Sequence, residues 1–295
     1  MEIYESLRLQ AEESFNQGNL VEALDLFNSA LSRAQNLGDE VITERAFCNL
    51  VAVEIELGRA AAEDLIRLRE ILMRNSDLEN CRLAAYNLAQ EYQIRKSYKK
   101  ALFYARIALD KAMLIGSDPW IASSHNRIGN ILISESHFGQ ACLEYEQALE
   151  AMPTERSMAR ALVLDNLGYC RIVEGNFNQG FRLLYESLRT LRRIGAKGFE
   201  RGPRLSLCFA LLEVGRYRAA YRHGLTALKI AETVGDQDAL KNALYLLGEA
   251  ANLARNTKSA RGHFNRLQQQ FFPQEHYLPD FLLAIDVRKL INLKA

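Results

Sequence analysis

A small residue returns about every 40 positions along this chain of 295 residues, three places after a bulky one. Successive small residues are 78, 40, 39, 40 and 40 positions apart, so the first interval hides one degenerate copy. A fixed period in this range is typical of stacked supersecondary units that bury their apolar faces only against neighbours. The chain is therefore predicted to be a repeat array. The pairs are Leu20/Ala23, Tyr98/Ala101, Phe138/Ala141, Phe177/Gly180, Tyr217/Ala220 and, more weakly, Thr257/Ala260.

A second small or compact residue lies twelve positions before each of these small residues. Glycine inside a helix is destabilising by about 1 kcal/mol relative to alanine, so its recurrence at a fixed phase indicates that two helices pack closely there. A glycine that can adopt the left-handed conformation ends most units, and Asp or Ser after it can cap the next helix. The second set is Ala11, Ala89, Gly129, Gly168, Cys208 and Gly248, and the stops are Gly38, Gly116, Gly195 and Gly235.

These signals predict an all-α fold, a solenoid of antiparallel helix pairs with about seven repeats. The composition agrees, with 48% hydrophobic and 25% charged residues and only five prolines. Because a solenoid has no single core to outgrow, residues 1–295 are predicted to be one domain. In the degenerate copy Glu63 replaces the small residue, and a looser seam is expected. Repeats are expected at about 3–37, 40–76, 80–115, 119–153, 157–195, 200–235 and 238–272, with an amphipathic capping helix at 279–295.

Several functional classes find no support in the sequence. No window reaches the roughly 18 apolar residues of a membrane span, and the first ten residues carry acids where a secretory signal needs bases. The five cysteines are scattered and never paired as CxxC, which favours a cytoplasmic location. No phosphate-binding loop or catalytic motif occurs, and the five histidines are too far apart for a local metal motif. We therefore predict no enzyme activity, no catalytic or metal-binding residue, no cofactor and no membrane partner.

One repeat carries every position of a known pattern, with Arg127-Ile128-Gly129-Asn130, Phe138, Ala141, Tyr145, Ala148 and Pro153. It resembles the tetratricopeptide repeat, whose pattern is a Leu-Gly pair, an aromatic residue at the turn, Ala, an aromatic residue, Ala and Pro. The resemblance covers nearly the full chain, although the period exceeds the usual 34 residues. It is similar to the long-repeat arrays of kinesin light chains, G-protein-signalling modulators and bacterial peptide-receptor regulators of the Rap and PlcR type. This resemblance implies a right-handed superhelical solenoid. It also implies that the first helix of each repeat lines a concave groove for an extended or helical peptide.

Carried onto this sequence, the groove positions flank the small residue of each first helix. Asn49, Asn87 and Asn166 share one place, and an asparagine amide can both donate to and accept from a peptide backbone. The alternative is that these asparagines bridge neighbouring repeats and touch no ligand. The peptide-binding set is Asn49, Tyr86, Asn87, Gln90, Asn126, Arg127, Asn130, Asp165, Asn166 and Tyr169, with Arg8, Glu12 and Arg45 in the first units.

Charge is distributed unevenly along the repeats. Residues 1–80 hold 7 Lys and Arg against 16 Asp and Glu, whereas residues 181–230 hold 11 against 3. The basic stretch can steer an acidic partner, contact the phosphates of a nucleic acid, or dock head to tail on the acidic end of another copy. It can also be a solvated helical face of little consequence. The patch consists of Arg189, Arg192, Arg193, Lys197, Arg201, Arg204, Arg216, Arg218 and Arg222.

The sequence as a whole predicts a cytoplasmic adaptor or scaffold that binds a peptide segment of a protein partner in its concave groove. An acidic partner is the favoured use of the basic stretch. Two alternatives are kept. One is an RNA-binding array that uses residues 181–230, and the other is a peptide-sensing regulatory subunit without an effector domain of its own.

Overall fold

The computed structural model describes residues 1–17 and 19–294, without the side chains of residues 16 and 17. Over these residues the chain forms fifteen α-helices, two short 3-10 helices and no strand, which confirms the all-α prediction. The 3-10 helices are Lys197–Glu200 and Arg288–Leu290. The α-helices are α1 Glu2–Gln17, α2 Leu20–Leu37, α3 Glu40–Glu56, α4 Ala62–Arg74, α5 Leu78–Ile94, α6 Tyr98–Ile115, α7 Asp118–Ser134, α8 Phe138–Ala151, α9 Met158–Val173, α10 Phe177–Arg193, α11 Arg201–Glu213, α12 Tyr217–Val234, α13 Gln237–Leu253, α14 Thr257–Phe271 and α15 Leu278–Ala284.

The chain divides into two compact units, Met1–Ile131 (unit 1) and Leu132–Ala295 (unit 2). Helices consecutive in sequence pack as pairs within each unit. The first helices of neighbouring pairs also pack on one another, α3 on α5 in unit 1, and α9 on α11 and α11 on α13 in unit 2. Each unit therefore has an inner face built from first helices. Organisation as a single domain over 1–295 stays a prediction.

The close helix approach inferred from the small residues is present. A Cβ atom added to Gly180 would lie 3.0 Å from the carbonyl oxygen of Gly168, and one added to Gly168 would lie 3.2 Å from that of Gly180. The backbones of α9 and α10 are thus in direct contact. In the last pair, a Cβ atom at Gly248 would lie 2.2 Å from the ring of Phe264, which is fully buried.

The turns use left-handed residues at two recurring places, between helix pairs and within them. Gly38, Gly116 and Gly235 end their helices in this conformation, as predicted. Asp39 and Asp236 then cap the next helices, accepting from the backbone N–H of Ile42 and Ala239 respectively. Among the described residues, the turns inside six pairs have a second left-handed residue, which the sequence did not reveal because non-glycine residues fill it in three of them. The second set is Gly58, Lys96, Ser136, Gly175, Gly215 and Arg255.

The degenerate second repeat is present as a helix pair with a looser seam. Its second helix, α4, has only 13 residues and begins after a longer turn. Glu63, at the position of the small residue, is exposed, and α4 packs more extensively on α5 than on α3. A charged side chain cannot be buried cheaply at this position, so the helix shifts toward its other neighbour.

The predicted capping helix at 279–295 is wrong in its extent. Helix α15 ends at Ala284, and Ile285 has extended backbone with φ −127° and ψ 125°. Asp286 then accepts hydrogen bonds from both the backbone N–H and the guanidinium of Arg288, which favours a turn over a continuing helix. Residues 285–294 therefore leave the helical array, and we call them the returning segment.

Candidate functional site

The inner face of unit 1 carries a lateral network that joins four of the predicted groove residues. Asn87 is 2% exposed, and its Nδ2 donates to the carbonyl oxygen of Cys48 on α3 at 2.6 Å. Gln90 donates to Glu56 at 2.5 Å and accepts from Arg127 at 2.9 Å. The Arg127 guanidinium lies 4.5 Å from the ring centre of Tyr86. These side chains bridge neighbouring first helices, which favours the repeat-bridging alternative for Asn87.

The other predicted amides have different environments. Asn49 is half-buried beside Phe15 and Phe27 in a shallow cavity of about 290 Å³. Asn166 hydrogen-bonds to the hydroxyl of Tyr145, whose burial raises its pKa. The Oδ1 atom of Asn126 is buried without a hydrogen-bond partner. Asn130 is half-buried on the same helix. The predicted asparagines therefore lie in different environments, and their role in peptide binding stays a prediction.

The inner face of unit 2 holds the returning segment. Asn292 donates to the carbonyl oxygen of Ile133 at 2.6 Å and to Ser136 Oγ at 3.2 Å. The backbone N–H of Leu293 donates to the hydroxyl of Tyr169 on α9 at 3.1 Å, and its carbonyl accepts from Asn242 on α13, also at 3.1 Å. Both backbone groups of one residue are thus held by side chains of first helices, which is how an extended chain can be bound regardless of its sequence.

Three carboxylates on successive first helices face the cations of this segment. Asp165 on α9 contacts Lys294 Nζ at 2.6 Å. Glu213 on α11 contacts Arg288 at 3.0 Å, and Glu249 on α13 lies 4.0 Å from the same guanidinium. The side chains of Asp165 and Glu249 are only 4% and 2% exposed, so their charges depend on these partners.

Burial dominates the electrostatics around Glu249. Desolvation raises the pKa of its carboxyl to about 7; the nearby Asp286 carboxylate adds to the rise, and Arg288 opposes it. Glu249 Oε1, Asp165 Oδ1 and the hydroxyl of Tyr245 are all buried without a hydrogen-bond partner. Burial also raises the pKa of Tyr169 to about 12, so its hydroxyl keeps its proton at neutral pH. The inner face of unit 2 is therefore acidic and incompletely satisfied.

The predicted basic patch lies elsewhere in unit 2. Its residues lie on α10, α11, α12, the 3-10 helix before α11 and the turn before α12. None of them is hydrogen-bonded to the returning segment in the described part of the chain. Arg192 and Arg204 pair with Glu200, and Arg201 pairs with Asp236. The remaining six are exposed, namely Arg189, Arg193, Lys197, Arg216, Arg218 and Arg222.

Three arginines of the basic patch, from three different helices, lie close enough to His223 to change its pKa. Burial, and to a lesser extent the positive charges of Arg204, Arg192 and Arg222, lower the pKa of His223 to about 4. The imidazole is therefore neutral near neutral pH.

Sequence reasoning missed the inner-face residues of the last two pairs. Tyr169 follows the small residue Gly168, and the same offset from Cys208 and Gly248 gives Phe209 and Glu249, both buried on this face. That phase could have identified them. Glu213 and Asn242 do not share this offset from a small residue. The sequence of the returning segment suits a helix, so nothing in it indicated that the segment would lie on the inner face.

The described residues offer little for other kinds of site. No described helix has the length and apolar character needed to cross a membrane. Among the same residues, no group of three or more His, Cys, Asp or Glu side chains is arranged to hold a metal ion. All five cysteines are buried thiols without a disulfide.

Comparison with known proteins gives similarities of fold. No protein-family profile matches the chain. The human intraflagellar transport protein 88 homolog is 22% identical over 198 residues, which is 64% of this chain but only 23% of the human protein. A signal transduction ATPase with a tetratricopeptide repeat sensor from Pyrococcus horikoshii superposes with a TM-score of 0.71 at 17% identity, covering 98% of this chain and 46% of that one. A Rap protein complexed with Competence and Sporulation Factor gives a TM-score of 0.70 at 15% identity, covering 96% and 76% of the two chains. The fold of this chain is that of the tetratricopeptide-repeat proteins.

Proposed function

We propose that this chain is a non-catalytic adaptor or scaffold that holds an extended polypeptide segment of a partner on the inner face of unit 2. The observation that carries the proposal is the returning segment, which already lies on this face. Its residue Leu293 is held through both backbone groups by Tyr169 and Asn242. A face that already binds the backbone of one segment has donors and acceptors that a partner's segment could use.

The similarity to a Rap protein supports the same proposal by analogy. That protein was solved in complex with Competence and Sporulation Factor, and it shares the fold of this chain. Fold alone does not fix activity, so the peptide-binding proposal rests on the residues of unit 2. The cytoplasmic location and the peptide-sensing regulatory role are parts of the proposal that need their own tests.

The basic patch supports a second candidate, an RNA-binding array. Six of its nine cations are exposed and have no carboxylate within ion-pair distance among the described residues. Arg201 and Arg204 are instead occupied by Asp236 and Glu200. We rank RNA second because the extended segment bound in unit 2 is polypeptide. An acidic partner and head-to-tail self-association are further uses of the patch that stay predictions.

Selection of linear peptides on the full chain tests the first candidate. A random peptide library is panned on the protein, and the enriched peptides are measured by calorimetry. Asn242→Ala removes a donor to the bound backbone and should weaken binding about five-fold, the usual worth of one hydrogen bond. Lys241→Ala, the adjacent position, pairs with Asp238 instead and should leave the affinity unchanged. Failure to enrich any linear peptide, or equal effects of the two variants, would contradict the proposal.

A salt series separates the peptide and RNA candidates. Binding of a single-stranded RNA should fall steeply and linearly with the logarithm of salt concentration if several phosphates are neutralised. Binding of a selected peptide should depend less on salt, because part of it comes from backbone hydrogen bonds. Arg216→Ala and Arg218→Ala should weaken only RNA binding.

A further inference from the structure

The inner face of unit 2 has a marked charge preference that its own occupant reveals. Asp165, Glu213 and Glu249 come from three different first helices, and their cations all come from the returning segment. Asp165 and Glu213 can only accept hydrogen bonds as carboxylates, and Glu249 does the same whenever it is ionised, so the three groups together favour an occupant that brings donors and positive charge. A neutral or acidic occupant would leave buried negative charge uncompensated.

We propose that the inner face of unit 2 is a binding site for basic extended polypeptide segments, and that the returning segment occupies it as an intramolecular competitor. This inference rests on the proposed function and specifies its ligand class. The two cations that match the site are Arg288 and Lys294, six residues apart, with an apolar residue, Ile291, midway between them. A partner segment of this kind would present a cation at each end and an apolar side chain in the middle.

The returning segment does not use the whole site. One oxygen of Asp165 and one of Glu249 are buried without a hydrogen-bond partner. An arginine in place of Lys294 has the forked geometry to engage both oxygens of Asp165, which a lysine engages at one. A cavity of about 530 Å³ remains between the segment and helices α9 and α11, with Phe138, Tyr169 and Phe209 among its walls. Leu290, which borders this cavity, is 84% exposed.

These gaps indicate that a better-fitting segment can displace the resident one. The resident segment has the advantage of being tethered, which gives it a high effective concentration. A free ligand therefore binds with an apparent affinity reduced by the fraction of molecules whose site is open. Changes in the segment itself, which weaken its hold and leave the face intact, should raise the apparent affinity for the same sequence supplied in trans.

The experiment uses a fluorescent peptide with the sequence of residues 285–294, titrated by anisotropy into the full chain. Lys294→Glu places a negative charge against Asp165 and should tighten peptide binding about ten-fold relative to the unmodified chain. Lys289→Glu makes the same charge change at an exposed residue of the same segment and should change the affinity less than two-fold. Asp165→Asn, added to Lys294→Glu, should abolish most of the gain.

A second measurement uses the unmodified chain, so that misfolding of a variant cannot obscure the result. Hydrogen exchange of residues 286–294 should be slow at the amide of Leu293 and should accelerate when excess unlabelled peptide is added. A peptide carrying Glu in place of both Arg288 and Lys294 should bind no variant and cause no acceleration.

Several results would overturn the inference in distinguishable ways. Equal affinities for the Lys294→Glu and Lys289→Glu chains would show that the segment does not compete for the site. Equal binding of the charge-reversed peptide would reject the preference for basic ligands. If library peptides bind through Asn242 but carry no cations, the peptide-binding function stands and the basic site is rejected. If the trans peptide binds while no library peptide is enriched, the partner-binding function fails and only the intramolecular contact stands.

Discussion

The inner faces of the two units use the first-helix positions around the small residue in different ways. In unit 1, Asn87 and Gln90 bond to groups on neighbouring helices. In unit 2, Asp165 and Tyr169 bond to the returning segment. Amides donate and accept, so a row of them can close a network among themselves, whereas carboxylates only accept and need donors from elsewhere. The side-chain chemistry of a repeat position therefore determines whether it stabilises the array or receives another chain.

The largest expected effect concerns Glu249 in unit 2. Its pKa is raised from 4.5 in the unfolded chain to about 7, so the folded state binds the proton more tightly. The stability this gives is fully present below about pH 4.5 and is lost as pH rises through 7, a change of about 3 kcal/mol. Glu249→Gln should remove this fall, measured by urea unfolding at pH 5 and pH 7.5.

The groups around Glu249 define the control for that measurement. Asp286 and Arg288 from the returning segment, Glu213 from α11 and Tyr245 from its own helix all lie near it. His223 works in the opposite sense, because its lowered pKa makes stability fall as pH drops from 6.5 toward 4. The difference between the unmodified chain and Glu249→Gln cancels the histidine contribution. A difference that does not change with pH would contradict the prediction.

The helix seams offer a second way to compare the units. Unit 1 has alanine at Ala11 and Ala89, where the last pair of unit 2 has Gly248. Gly248→Ala would force a methyl group against the Phe264 ring and should destabilise the protein by about 2 to 3 kcal/mol. Gly262→Ala on α14 has open space and should stabilise it by up to about 1 kcal/mol. Thermal unfolding of both variants measures these effects, and effects of the same sign would refute the seam argument.

The asparagines test the central difference between the faces. Asn87→Ala removes the side-chain donor that supplements the helical hydrogen bond of the Cys48 carbonyl, and should lower stability by about 1 kcal/mol without affecting peptide binding. Asn242→Ala should weaken peptide binding and leave stability nearly unchanged, since its partner is the half-buried returning segment. Calorimetric melting and peptide titration on both variants provide the comparison. Loss of peptide binding in Asn87→Ala at unchanged stability would instead support the prediction that the asparagines form one peptide-binding row.

The smallest expected effect should be the same in both units. Lys96 in unit 1 and Arg255 in unit 2 both adopt left-handed backbone in the turn inside a pair. Replacing either with glycine removes that conformational cost and should stabilise the protein by about 0.5 kcal/mol. Denaturant midpoints of Lys96→Gly and Arg255→Gly measure these changes in stability. A rise in the midpoint for only one of the two variants would show that the turns are not equivalent.

Much of the fold could be predicted because its signals are local and repeated. The spacing of small residues indicated the helix pairs, and Gly38, Gly116 and Gly235 marked their ends. The capping helix was predicted too long because the apolar spacing of residues 280–291 suits a helix, while the contacts that draw Arg288 away come from distant residues. Long-range ion pairs leave no periodic trace in a sequence.

The candidate site could be predicted only in part, for a related reason. Asp165 and Tyr169 were identified by their phase, and both touch the returning segment. Asn87 shares its phase with Asn166, but the first bonds to Cys48 and the second to Tyr145. The position of a residue relative to the small residue of its repeat predicts the helix face on which it lies. It does not predict which group that residue will contact.

The returning segment also changes how unit 2 is connected. Helical repeat arrays are held together mainly by contacts between neighbours, so they can lose structure from one end without affecting the other. Asn292 and Lys294 reach back to Ile133 and Asp165, residues 159 and 129 positions earlier in the chain. Contacts of such sequence separation join the first and last helices of the unit and slow the search for the native state. Release of the segment would thus leave unit 2 an open array, freer to fray from either end.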